Sequence, residues 1–261
     1  MQFRIRHEVR CRFDPPVRNV MAIVRLSPRS HEGQHVTEWW IDADLDCSLR
    51  SGDDEFGNLT HTFSSAGQLR EVTIAATGLV DTFDTAGVIR TTAERLPVEI
   101  FLRDTPLTTT DKAVRAFVTA CTAEGTTMLG RLHALMGAVN AELALDSGAD
   151  ILSAAEAFGG KSGGRGSHAH LFIAGARFLG IPCRFVNGYL VWGESGEATC
   201  HGWAEAFLPD LGWVGFDPLN NLCPRGEHVR CAVGFDAVHA AFVRGLPPEA
   251  TTHKLTVTVV G

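Results

Sequence analysis

The chain has 261 residues, of which 45% are hydrophobic and 20% charged, with Lys+Arg 23 against Asp+Glu 30 and a formal net charge of -7. It is long enough for one large or two moderate domains with a sizeable core, and an acidic chain without basic clusters argues against nucleic acid or an anionic membrane as its main partner. Seven cysteines with no CxxC pair read as a reduced set, neither a disulfide framework nor a zinc site. The start, MQFRIRHEVRCRF, has no apolar signal core, and no run approaches the ~18–20 apolar residues of a membrane helix, so a cytoplasmic protein is expected.

Residues 1 to about 100 read as a β-rich, sandwich-like domain of short strands separated by turns. MQFRIRHEV alternates, with Phe3, Ile5 and His7 on one face and Gln2, Arg4 and Arg6 on the other, until Pro15 and Pro16 break it. VMAIVRLSP, HVTEWWIDADL, Leu59 to Phe63 and REVTIAATGLV follow as strands, with turn chemistry at DDEFGN. Residues 101–261 read as a second, α+β domain. Its lead-in is helical: DKAVRAFVTACTAE, with Val114, Phe117, Val118 and Cys121 at helical spacing; Thr127 to Leu143, with Leu129, Leu132, Leu135 and Val139 on one side; and a shorter helix over DSGADILSAAEAF, capped by Asp150 or Ser153. The loop GGKSGGRGS then feeds HAHLFIAGARFLG, for which Ser167 is the expected N-cap, Gly180 the end, and Leu171, Ala174 and Phe178 the buried stripe. Pro182 opens the strand PCRFVNGYLVW, and GESGEA turns into HGWAEAFLP, with His201, Trp203, Glu205 and Phe207 on one side. WVGFDP and two tail segments, HVRCAVGFDAV and HKLTVTVVG, supply further strands.

A helix N-terminus, then a His, then an Asp, each at the edge of a regular element, is the order of a Cys-His-Asp acyl-transfer site. The helix dipole activates a thiol and its amides face a developing oxyanion; a His on a neighbouring strand serves as base, and an Asp fixes the tautomer. His201 and Asp217 fit the second and third roles. Singly, each has a plain reading, a packed histidine and a turn-former before Pro218; the joint spacing of HGW and FDP favours the site.

On LGIPCR, HGWAEAFLP and GWVGFDP, with AEAF, AHL and CAVGFD around them and RHEV…VRLSPR…GQ near the start, the sequence resembles bacterial transglutaminase-like proteins, relatives of papain-type cysteine peptidases, over nearly its whole length. The resemblance implies an N-terminal β domain over 1–100 and a papain-like core over 101–261, with helices packed on an antiparallel sheet. It puts His201 at the catalytic histidine and Asp217 at the catalytic aspartate, and implies attack on a carboxamide or peptide carbonyl through an acyl-enzyme, with no cofactor and no metal. One position departs. Counting back from Ala169-His170-Leu171 without a gap puts Arg165 where the family has its nucleophilic cysteine. Arginine stays protonated and cannot attack a carbonyl. Cys183 and Cys200 read as packed thiols, Cys200 pointing to the opposite strand face from His201.

Three readings follow. In the first, covalent catalysis is lost and the cleft binds a peptide, protein partner or acidic ligand. Arg165 beside Lys161, with Gly164, Gly166 and Trp203, would form a cationic pocket for an anion at the Gly159–Ser167 loop; the plain reading leaves Arg165 in solvent. In the second, Ser167, or in second place Ser162, acts as nucleophile with His201 and Asp217, although Ser167 lies about 200° around the helix from the family position; the plain reading of Ser167 is a cap. In the third, Cys200, His201, His168 and His170 hold a metal, although His168 and His170, two apart on a helix, diverge. GGKS is not a Walker loop, because position 155 is Ala155 and the loop follows a helix.

Overall fold

The computed structural model describes residues 1–45, 47, 49–90, 95–148, 151–193, 196–247 and 250–260. Seven strands come first: β1 (Gln2–Val17), β2 (Val20–Ser27), β3 (Gln34–Ala43), β4 (Arg50–Asp53), β5 (Leu59–Ser65), β6 (Leu69–Thr82) and β7 (Val88–Ile89). A 3-10 turn (Val98–Leu102) leads to α1 (Lys112–Cys121), α2 (Met128–Glu142), β8 (Ala144–Leu145), α3 (Ala154–Gly160), β9 (Ser162–Gly163) and α4 (Arg165–Phe178). The chain closes with β10 (Cys183–Trp192), β11 (Glu197–Leu208), β12 (Gly212–Phe216), β13 (His228–Gly234), β14 (Val243–Arg244) and β15 (Thr251–Val260). No helix among the described residues is long and apolar enough to cross a membrane.

Two four-stranded sheets, β15-β1-β6-β3 and β14-β2-β5-β4, enclose one apolar cluster. The alternation in β1 sets this: Phe3, Ile5, His7, Val9 and Cys11 are all 0% exposed, while Arg4, Arg6 and Arg10 face out. Pro15 and Pro16 do not end β1 as expected. Its pairing with β6 lapses between Arg12 and Val17 and then resumes, so neither proline has to donate to the ladder. The turn at Asp54–Asn58 is closed by Asp54 Oδ1, which accepts from the backbone N–H groups of Phe56 and Asn58.

The third sheet, β13-β10-β11-β12-β7, carries the four helices on one side. The helix caps are local and strong. Asp111, Thr127 and Ser153 accept from Val114, Gly130 and Glu156 N–H, and Ser153 with Glu156 completes a capping box; the alternative cap, Asp150, lies outside the described residues. Helix α4 ends as expected at Gly180 (φ +77), with Gly180 N–H on Arg177 O and Ile181 N–H on Ala176 O, a Schellman closure. Its burial is wider than the expected stripe. Every residue from Ser167 to Arg177 is buried, while Phe178 is 43% exposed, because α1, α2, α3 and the sheet surround the helix. β10 and β11 pair up to Trp192 and Glu197, so the last two residues of the expected GESGEA turn, Glu197 and Ala198, belong to β11; Glu194 and Ser195 lie outside the described residues.

Sheet membership crosses residue 100 in both directions. β15 pairs with β1 from Thr251 to Val260, β14 pairs with β2, and β7 pairs with β12.

Candidate functional site

Helix α4 opens at Arg165 because the chain stays extended at Gly164 (φ -68, ψ 176), which is the N-cap and makes no side-chain cap bond. Ser167 is therefore not the cap. It lies inside the first turn, 1% exposed, with its Cβ over Gly163, where an added Cβ would meet it at 2.6 Å. Its hydroxyl has no hydrogen-bond partner, so it makes none with His201.

β11 delivers His201, and Asp217 follows the end of β12; they are 1% and 0% exposed. His201 Nε2–H donates to Asp217 Oδ2 at 2.7 Å. The same oxygen accepts from Asn220 Nδ2 at 2.7 Å and from His228 Nε2–H at 3.1 Å. Burial alone would raise the Asp217 carboxyl; the hydrogen bonds from His201, His228 and Asn220 outweigh it and hold the group well below the usual carboxylate range. An ionised carboxylate only accepts, so both histidines donate. His228 Nδ1 is then the acceptor for Arg225 N–H, at 3.3 Å. His201 Nδ1 is left buried with no partner. Trp203 stacks on the His201 ring, with centroids 6.1 Å apart and planes at 24°, and backs that ring without lining the cleft in front of it.

That cleft, of about 500 Å³, lies where the start of α4 meets β10 and β11. Arg165, Gly166, Cys200, His201 and Arg244 line it, with Phe185, Val238, Ala241 and Leu246 as apolar wall. The described lining holds two arginines and no Asp or Glu, in a chain of net charge -7. Lys161, expected beside Arg165, is elsewhere: it pairs with Glu142 and its ammonium sits 4.3 Å from the Phe158 ring centroid. Gly164 caps the helix and does not line the cleft.

Cys200 alternates away from His201 as expected. It is the register partner of Tyr189, and its Sγ lies 3.9 Å from His7 Nε2, yet it borders the same cleft. Burial pushes its thiol up to about 12 despite the opposing charge of Arg165. Cys183, also expected to be packed, is 0% exposed and likewise pushed up to about 12 by burial.

The four residues of the metal reading do not converge. His168 faces the carbonyl oxygens of Gly164 and Leu143, and His170 bridges Leu152 O and Ala237 N–H. Among the described residues, the ligand-type atoms that gather within 4.8 Å belong to His201, Asp217 and His228. Both Nε2 atoms there carry the protons given to Asp217, and Arg225 N–H fixes the His228 tautomer, so this donor set is a hydrogen-bond cluster. Sequence reasoning missed His228, Asn220 and Arg244. Asn220 stands in the DPLNN segment, but His228 and Arg244 reach the site only through the β13 and β14 pairings.

Two family models match the chain: the transglutaminase-like superfamily core over residues 115–218 and the bacterial transglutaminase-like N-terminal region over residues 3–81. A crystal structure from Cytophaga hutchinsonii, described as a candidate cysteine protease, superposes with a TM-score of 0.78 at 18% identity, over 98% of this chain and 89% of that one. The periplasmic domain of TgpA from Pseudomonas aeruginosa superposes at 0.42 with 14% identity, over 84% of this chain and 87% of that one. An uncharacterised protein of Mycobacterium leprae (strain TN) is 33% identical over 84 residues, 30% of this chain and 29% of its own length, so the match spans less than a third of that relative. With both family regions present in order and the fold of the core and sandwich shared, this chain belongs to the transglutaminase-like superfamily in its bacterial form.

Proposed function

We propose that this chain is a transglutaminase-like protein that has lost covalent catalysis and uses the inherited cleft to bind a peptide or protein partner through an anionic group. The observation that carries the reading is Arg165 at the first position of α4, lining one cleft with His201. A guanidinium there supplies positive charge and five donors where acyl transfer needs a thiolate. His201, held from behind by Asp217, remains as a polar group on the cleft wall. Ser167 as a replacement nucleophile has no support, since its hydroxyl sits beside Gly163 without a bond to the base. A reducing, cytoplasmic setting suits seven cysteines that no disulfide joins.

The test is a paired assay on peptides and glutamine amides with hydroxylamine as acceptor. Wild type should be silent. Arg165→Cys should gain turnover, and adding Asp217→Asn should remove that gain. Turnover by wild type would overturn the reading.

A further inference from the structure

We propose that the cleft receives the free C-terminus of a peptide ending in an apolar residue, with Arg165 and the first amides of α4 holding the carboxylate and His201 Nδ1 accepting the last peptide N–H. This rests on the reading of the cleft as a non-covalent binding site and narrows it to one ligand chemistry.

Three independent features converge. The first is charge. Arg165 and Arg244 both line the cleft, and among the described residues neither has an ion-pair partner and no carboxylate lines it with them. Behind Arg165, the 14-residue helix α4 has no side chain capping its first N–H groups, so its positive end is open to an anion. The second is the orphaned ring nitrogen. His201 lines the cleft and Asp217 does not, so the Nε2 edge faces away and Nδ1 is the nitrogen on the cleft side. It is buried and without a partner. With Nε2–H committed to Asp217 and the ring taken as neutral, Nδ1 offers a bare lone pair, and an unmet buried acceptor costs about 1–3 kcal/mol. A plain anion would be repelled by that lone pair; the ligand has to bring a donor next to its negative charge. The third is the apolar wall of Phe185, Val238, Ala241 and Leu246.

A C-terminal residue presents these groups together: a carboxylate, an amide N–H one α-carbon away, and a side chain. Inorganic sulfate brings charge without the apolar part, and a fatty acid brings no donor. The cleft volume, about 500 Å³, falls within the ~300–1,000 Å³ typical of ligand pockets. An N-acyl amino acid shares the chemistry of a peptide terminus, so the two sources need separate probes.

The experiment is calorimetric titration of the full chain with acetyl-Ala-Ala-Leu as free acid, as its C-terminal amide, and with the last peptide nitrogen methylated, alongside N-acetyl-leucine and sodium sulfate. The free acid should bind. The amide and the N-methyl peptide should each bind at least about tenfold more weakly, the loss of one hydrogen bond to charge or to a buried acceptor. Arg165→Met should erase the preference for acid over amide while leaving the preference against N-methylation. The N-methyl probe reads His201 without mutating a buried residue. N-acetyl-leucine matching the tripeptide would assign the site to a single acylated amino acid; tighter tripeptide binding would assign it to peptide termini; both uphold the chemistry. Equal binding of acid and amide, sulfate displacing the peptide at equal concentration, or no binding at millimolar peptide would overturn it. Those outcomes with wild type still inactive would sink this inference alone, whereas wild-type turnover would sink the reading beneath it.

Discussion

Acidification should reveal how tightly the N-terminal sandwich is bound to the cleft, because a buried histidine joins them. His7, 0% exposed on the inner face of β1, faces the Tyr189 hydroxyl through Nδ1 at 3.0 Å and His253 Nδ1 through Nε2 at 3.0 Å. His253 and Cys200, its neighbours, border the cleft. Burial, and secondarily the charge of His253, lowers the His7 pKa from 6.5 to about 3. The sign follows. Above the ordinary histidine value the group is neutral in both states and contributes no pH dependence. Below it the unfolded chain takes up a proton that the folded chain refuses, so stability falls with pH until about 3. At about 1.4 kcal/mol per unit, a drop to about pH 5 costs roughly 2 kcal/mol from this one residue. His7→Gln stays neutral in both states and keeps a polar side chain. The stability gap between wild type and His7→Gln in urea titrations should therefore shrink by about 2 kcal/mol between pH 7 and about pH 5. The other buried histidines, including His31 and His170, act on both proteins and cancel in the difference. A gap that stays constant with pH would refute the assignment of a neutral, proton-refusing His7.

Glu205, 0% exposed, accepts from Arg184 Nε at 2.7 Å and Arg230 Nε at 2.8 Å, and these guanidinium groups hold its carboxyl down at about 2 against the opposing effect of burial. Glu205→Gln should cost about 3–5 kcal/mol in urea melts, because it removes a fully buried charged partner shared by two largely buried arginines; a loss under about 1 kcal/mol would show that the network is replaceable. Gly188, opposite His201 in the β10–β11 register, leaves room for Val229 O and the Trp203 ring, which an added Cβ would meet at 2.1 and 2.7 Å. Gly188→Ala should destabilise by about 1–3 kcal/mol and shift the Trp203 emission; unchanged stability and emission would mean the strands separate freely there. In native protein, mass-mapped alkylation should leave Cys183 and Cys231 unlabelled, since burial raises both thiols and each is at most 3% exposed, while Cys223, partly exposed, reacts; early labelling of Cys183 would mean that β10 opens locally.

The helices, several of their ends and the identity of the His–Asp pair were legible because their signals are local. A cap needs only a Ser, Thr or Asp two or three residues before the amide it satisfies, which is how Ser153 could be offered, beside Asp150, for the third helix. Gly180 marked a turn that favours glycine, and the β1 alternation already placed His7 with the core. The loop before α4 misled because Ser167 is an excellent cap in isolation. Packing overrode it: the side chain fills the space above Gly163, and three more residues joined the helix at its start.

By itself the sequence determined the family, the succession of strands, helices and strands, and an arginine at residue 165 where the resemblance expects a cysteine, each carried by residue identity at short spacing. The tertiary structure alone decided what surrounds that arginine. It sent Lys161 away to Glu142, brought Arg244 in on β14, gave Asp217 a second histidine from β13, and returned the last strand to β1 across the full length of the chain. Strand pairing joins residues far apart in sequence through backbone hydrogen bonds that any residue but proline can make, so no local pattern announces its partner. The electrostatics of the cleft are a product of that pairing, and they follow from the fold and not from the motif.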